Sequence, residues 1–194
     1  MAVAVDLRRT ALQRSHRVVL AILAALLVVL LVTGLWLAFR YQPSGSFVGA
    51  RPQSVLRVTH RVTSTVFLLV ALAAFALSIA VSVEGALKRG TPAWVAGLVI
   101  MVGALAAAFT GRLLPWNELA LAPVRAGEFR GYGFLFGHSN VHVVLVGSGE
   151  FTRGSLHTWF LVHTVAIPLA LVALGIGASR LTRRGRVLPS NEPP

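Results

Sequence analysis

An all-α transmembrane four-helix bundle is the architecture this sequence predicts, and three features lead to it. The 194-residue chain is 56% hydrophobic and only 12% charged, with a mean hydropathy of +0.76; a soluble domain carries about 25% charge. Four apolar stretches approach the roughly 20 residues that a helix needs to cross a hydrocarbon core of about 30 Å. The charges, 18 Lys+Arg against 6 Asp+Glu, lie between those stretches. A net charge of +12 then reads as flanks facing lipid headgroups and not as a nucleic-acid surface.

The first span is Val18 to Phe39, uncharged and rich in Leu and Val. It is too long, and too cleanly followed by further spans, to be a removed signal peptide. The second is Val62 to Val83. The third is Pro92 to Gly111, opened by the helix-start pair Thr91-Pro92. The fourth is Trp159 to Ser179, interrupted only by His163 and Pro168. Four spans put both termini on one side. Ten of the 18 basic residues flank that side, in shorter segments than the eight on the other. The positive-inside rule therefore expects both termini in the cytoplasm. Residues 1–17 form a cytoplasmic arm, 18–180 the four-span domain, and 181–194 a basic, then proline-rich tail. No internal repeat is evident. The long connection from Arg112 to Thr158 has glycine punctuation and a half-apolar stretch, Gly137 to Val146. It reads as one or two short helices on the outer surface.

The absence of cysteine excludes disulfides, thiolate zinc sites, iron–sulfur ligation by this chain and cysteine-attached haem. Six histidines remain. A polar side chain in a membrane helix needs a reason. His60 and His163 stand at the entrances of two spans that both run inward, so their imidazoles are expected at similar depth near the outer face. Two histidines from two helices at one level can hold a haem iron from both sides; the plain alternative is a helix-end histidine bonded to a carbonyl or to interfacial water. Gly34 and Gly111 fall at the same level, where a missing side chain lets a flat plate approach a helix, or simply lets helices pack. Arg57, one turn before His60, is placed to pair with a haem propionate or with headgroups. His138 and His142 have i,i+4 spacing but no third ligand near them in sequence. His157 is expected on a different helical face from His163.

These residues, in this order, resemble the N-terminal, haem-binding half of the cytochrome b family of quinol–cytochrome c and plastoquinol–plastocyanin oxidoreductases. LVTGLWLAFRYQPS, running from Leu31, is similar to the family's first helix with its Thr-Gly pair. LRVTHRVTST (Leu56 to Thr65) matches the second-helix entrance, AAFTGRLLPWNEL (Ala107 to Leu119) the end of the third, and GSLHTWFLVHTVAIP (Gly154 to Pro168) the entrance of the fourth. The resemblance implies that His60 and His163 ligate a b-type haem, with Arg57, Gly34 and Gly111 around it.

It also exposes departures. The family carries a second histidine 14 or 15 residues further along each ligand helix, for a second, inner haem. Here those positions are Ala74 and Gly177 or Ala178, none able to bind iron, and Leu20 replaces an inner glycine opposite Gly97. The resemblance therefore implies one bis-histidine haem b, the outer one. The family's Pro-Glu-Trp-Tyr quinol motif is absent; Glu118, after Leu-Pro-Trp-Asn, is either a proton acceptor or an ordinary exposed glutamate. The implied role is an electron-transfer subunit without an evident substrate site of its own, in a quinol-oxidising complex in membrane lipid. Implied partners are quinone or quinol, a C-terminal cytochrome b-like subunit, a Rieske iron–sulfur protein and a c-type cytochrome, with no nucleic acid. The alternatives are a degenerate, non-redox scaffold subunit and the membrane cytochrome b of hydrogenases or formate dehydrogenases.

Overall fold

The structure, a computed structural model, describes residues 2–41, 55–83, 93–115 and 153–184. It is an all-α bundle: α1 (Ala2–Phe39), α2 (Val55–Val83), α3 (Ala93–Leu113), α4 (Arg153–Leu161), a π-helical turn (Val162–Ala166) and α5 (Ile167–Arg184). The last three run on as one rod. Four segments are long and apolar enough to cross a membrane: Leu7–Phe39, Val55–Val83, Trp94–Leu113 and Leu156–Gly177. The connections on which surface helices were expected, along with Glu118, His138 and His142, lie outside the described residues.

The helices overrun the apolar stretches. The 38 residues of α1 extend about 57 Å at 1.5 Å per residue, so the segment before Val18 continues the same helix. Arg8, Arg9, Arg14 and Arg17 are exposed along it. α2 starts seven residues before the apolar span and so carries His60 inside its first turns.

One stripe organises the packing. The buried residues of α2 are Phe67, Ala71, Ala74, Ser78 and Val81, spaced four and three alternately, the pattern of a helix seam. His60 is seven residues before Phe67, so it belongs to that seam. On α3 small residues recur at seven-residue intervals: Gly97 against Phe75 and Ser78 of α2, Ala104 in the core, and Gly111 against His163 of the π-turn. α1 packs on α2, α2 on α3, and α3 on α5, while the π-turn touches both α1 and α3. Leu23, Phe67, Ala71, Ala74, Ala104 and Leu171 form the core, with Leu20, Leu27 and Leu30 packed against it. Large apolar side chains on the outer faces, Val32, Leu35, Leu69 and Leu169 among them, are exposed, as a lipid-facing surface requires.

Polar side chains within the spans are satisfied by their own helices. Ser64 and Thr65 donate to Arg61 O, Ser78 to Phe75 O, Ser82 to Ser78 O, and Thr164 to Phe160 O. Among the described residues no buried side-chain nitrogen or oxygen lacks a partner.

Tyr41 ties one end of the bundle together. Its hydroxyl donates to Leu114 O at 2.6 Å, and its ring stacks on Phe160 with centroids 4.8 Å apart. One residue thus joins the ends of α1 and α3 to α4. Burial pushes the phenol up to about 12, above its ordinary value of about 10. A raised folded-state pKa means that the neutral-phenol contribution is complete below the unfolded value and is lost as pH rises through the folded one. The clamp should therefore hold to about pH 10 and release toward about pH 12. Phenolate absorbance that appears only well above the ordinary tyrosine range should disappear in Tyr41→Phe. That variant keeps the stack and loses the hydrogen bond, about 0.5–1.5 kcal/mol, read by thermal unfolding.

Candidate functional site

Just below the Tyr41 clamp, His60 of α2 and His163 of the π-turn face each other. Their ring centroids are 6.5 Å apart, with ring planes at 79°. The structure brings together four of the five residues singled out in the sequence: Gly34 and Gly111 supply the walls behind the two rings. A Cβ built on Gly34 would stand 3.1 Å from His60 Cε1, and one on Gly111 only 2.8 Å from His163 Cε1 and 3.3 Å from its Nε2. Any side chain at Gly111 would have to displace the imidazole. Arg57, the fifth, is exposed on α2 at the same end, one turn before His60. His157 is exposed on α4.

The π-turn has a local cause. Pro168 follows it by two residues and has no N–H to donate to the carbonyl four residues back. The chain widens just before it: Ile167 N–H donates to Val162 O, five residues back. Such one-turn bulges often occur at functional sites, and this one carries His163.

Two threonines complete the site. Thr33 Oγ1 lies 2.8 Å from His60 Nδ1, and Thr110 Oγ1 lies 2.9 Å from His163 Nδ1. Both threonines are buried, at 8% and 3% exposure. Each also reaches back to its own helix, Thr33 to Val29 O at 2.7 Å and Thr110 to Ala106 O at 2.8 Å. The site is thus built twice over: a Thr-Gly pair on α1 against a histidine on α2, and a Thr-Gly pair on α3 against a histidine in the π-turn. Sequence reasoning missed both threonines as site residues and found no repeat. The signal was present in the identical pairs Thr33-Gly34 and Thr110-Gly111, 77 residues apart.

Toward the other end of the bundle α1, α2 and α3 pack closely, whereas a Cβ added at Gly177 of α5 would meet open space. Ala74, fourteen residues after His60, lies on the same seam and is 2% exposed. Gly97 meets Ser78 rather than open space: an added Cβ would collide with Ser78 Oγ and stand 3.2 Å from Phe75 Cα. Leu20 packs against the core. A Cβ on Gly103 would meet Leu171 Cδ2 at 2.7 Å.

No family model matches the chain. Cytochrome b6 of Heliomicrobium gestii is 28% identical over 152 residues, covering 73% of this chain and 70% of that protein. Cytochrome b6 of Heliobacterium mobile matches to the same extent, and that of Heliobacterium modesticaldum is 28% identical over 148 residues, 71% of this chain and 68% of its own. The chain is thus similar to the cytochrome b6 proteins of three heliobacteria. The likeness extends over more than two thirds of both partners, long enough to include more than one span. Within the bundle the paired histidines are the one place where side chains with metal-binding chemistry from two spans converge among the described residues. No group of three or more His, Asp or Glu forms there or elsewhere among those residues. Two imidazoles alone do not make a zinc centre, which takes three or four protein ligands; they suit a metal whose other positions are filled by a macrocycle.

Proposed function

We propose that the chain is a membrane electron-transfer subunit holding one b-type haem between His60 and His163. The observation that carries the reading is the facing pair of imidazoles, 6.5 Å between centroids. With a metal–imidazole bond of about 2.0–2.1 Å and ring nitrogens about 1.1–1.2 Å from the centroid, two rings holding one metal from opposite sides would stand about 6.2–6.6 Å apart. The glycine walls also suit a flat ligand, since a methyl at either position would press on an axial ring. Held by both His60 and His163, a haem b would supply one-electron transfer rather than oxygen chemistry.

The chain's own residues do the rest. His60 and His163 hold the metal from two helices, so bundle packing fixes their separation. Leu23, Phe67 and Ala104 form part of an apolar core below them, which keeps water away and tunes the potential. Arg57 serves a propionate by charge-assisted hydrogen bonds. A single haem is favoured because Ala74, on the seam fourteen residues beyond His60, offers no nitrogen, and because Ser78 occupies the space at Gly97.

The haem lies near the outer face, with both termini in the cytoplasm, as the distribution of basic residues favours. The subunit works in a quinol-oxidising, cytochrome bc-like complex with a C-terminal cytochrome b-like subunit, a Rieske protein and a c-type cytochrome. One outer haem does not span the membrane, so electrons leave along the outer face or through a cofactor of another subunit. The test is to isolate the native assembly in mild detergent and add a reduced quinone analogue. Reduction of a b-type band, with a Rieske protein among the co-purifying subunits, supports the assignment. A haem band that never responds to quinol in the intact assembly, or an assembly without haem, contradicts it.

A further inference from the structure

We infer that Thr33 and Thr110 are positioning residues that fix His60 and His163 in the Nδ1-protonated tautomer, so that each ring presents a bare Nε2. The inference rests on the haem reading for its consequence but on hydrogen-bond geometry for its origin. A threonine hydroxyl has one proton and can also accept. Thr33 Oγ1 stands 2.7 Å from Val29 O and 2.8 Å from His60 Nδ1. The carbonyl only accepts, so the hydroxyl proton goes to it; otherwise two oxygens would face each other at 2.7 Å with no hydrogen between them. The ring nitrogen is then the partner that must donate, and His60 Nδ1 carries the proton.

The same count holds at the other ring. Thr110 Oγ1 donates to Ala106 O at 2.8 Å and accepts from His163 Nδ1 at 2.9 Å. Two independent sites on two helix pairs give one answer. The helix carbonyl orients the threonine, the threonine orients the ring, and the lone pair is left on Nε2. A histidine that ligates a metal through one nitrogen commonly donates its other N–H to an acceptor, which fixes ring orientation and raises ligand basicity. The buried hydroxyls play that part here, in spans where no carboxylate is at hand: none of the described residues of α1, α3, α4 or the π-turn that face the rings is acidic.

The test uses the full-length chain in detergent and the variants Thr33→Val and Thr110→Val, which keep β-branched shape and remove the hydroxyl, with Thr33→Ser and Thr110→Ser as conservative partners. The first readout is nitrogen NMR of isotope-labelled imidazoles in chain made without haem. Wild type should show His60 and His163 protonated at Nδ1, and each valine variant should release its own histidine into a tautomer mixture. The second is haem titration and a midpoint potential. Each valine variant should bind haem about 10–100-fold more weakly, the usual cost of losing such a partner, and shift to a more positive potential, with serine restoring both. Nδ1 unprotonated in wild type overturns the inference, as do valine variants that match wild type in affinity and potential. A wild-type chain with the Nδ1–H tautomers that takes up no haem upholds the positioning and instead removes the haem reading.

Discussion

His60→Ala and His163→Ala are each expected to strip the chain of its haem spectrum. The two imidazoles come from helices that meet only through packing, so neither ligand has a substitute within reach. Among the described residues the remaining histidines are His16, at the far end of α1, and His157, exposed on α4. Without one imidazole a haem would have a single protein ligand left, in a cleft whose glycine walls offer no donor. Binding that depended on both should fall by well over the 10–100-fold typical of losing an outer-sphere partner. The reduced-minus-oxidised band should vanish at equal helix content. His157→Ala, His138→Ala and His142→Ala should leave it intact. Either ligand variant keeping full haem content would show that the pair does not do the holding.

Gly97→Ala should do the reverse, costing stability without touching the spectrum. The new methyl would meet Ser78 Oγ and stand 3.2 Å from Phe75 Cα. A side chain can turn aside, but a Cα on the facing helix cannot, so α2 and α3 must part. Overpacking of this kind costs about 1–3 kcal/mol, read as a lower thermal midpoint in detergent. Gly111 is fourteen residues, about 21 Å, further along α3, so the histidine pair should not feel the change. Adding Ser78→Ala should return part of the loss, because the two positions share one contact. An unchanged midpoint would mean that this end of the bundle has room to spare, reopening the question of a second flat ligand there.

The spans were legible because four apolar runs between arginines have one physical solution in lipid. Their ends were not: hydropathy marks where lipid stops, whereas backbone hydrogen bonding carries α1 back to Ala2 and α2 back to Val55. The common level of the two histidines was legible, since His60 and His163 open spans of the same direction, but their reading as a ligand pair rested on the family resemblance. The glycines followed from the same level. The threonines were hidden because Thr in a membrane helix ordinarily bonds its own carbonyl, as Thr65 and Thr164 do; only the three-dimensional approach of a ring shows that Thr33 and Thr110 do more. The π-turn was hidden for a related reason. Pro168 announces an interruption, but a kink, a break and a widened turn look alike in sequence. The resolution at Ile167 N–H to Val162 O depends on how the rod packs.

The most direct test is a quantitative reduced-minus-oxidised difference spectrum of the full chain, expressed with haem supplied, together with the haem-to-protein ratio. A b-type α-band at one haem per chain is the predicted result. No α-band, or a ratio near two, would contradict the account.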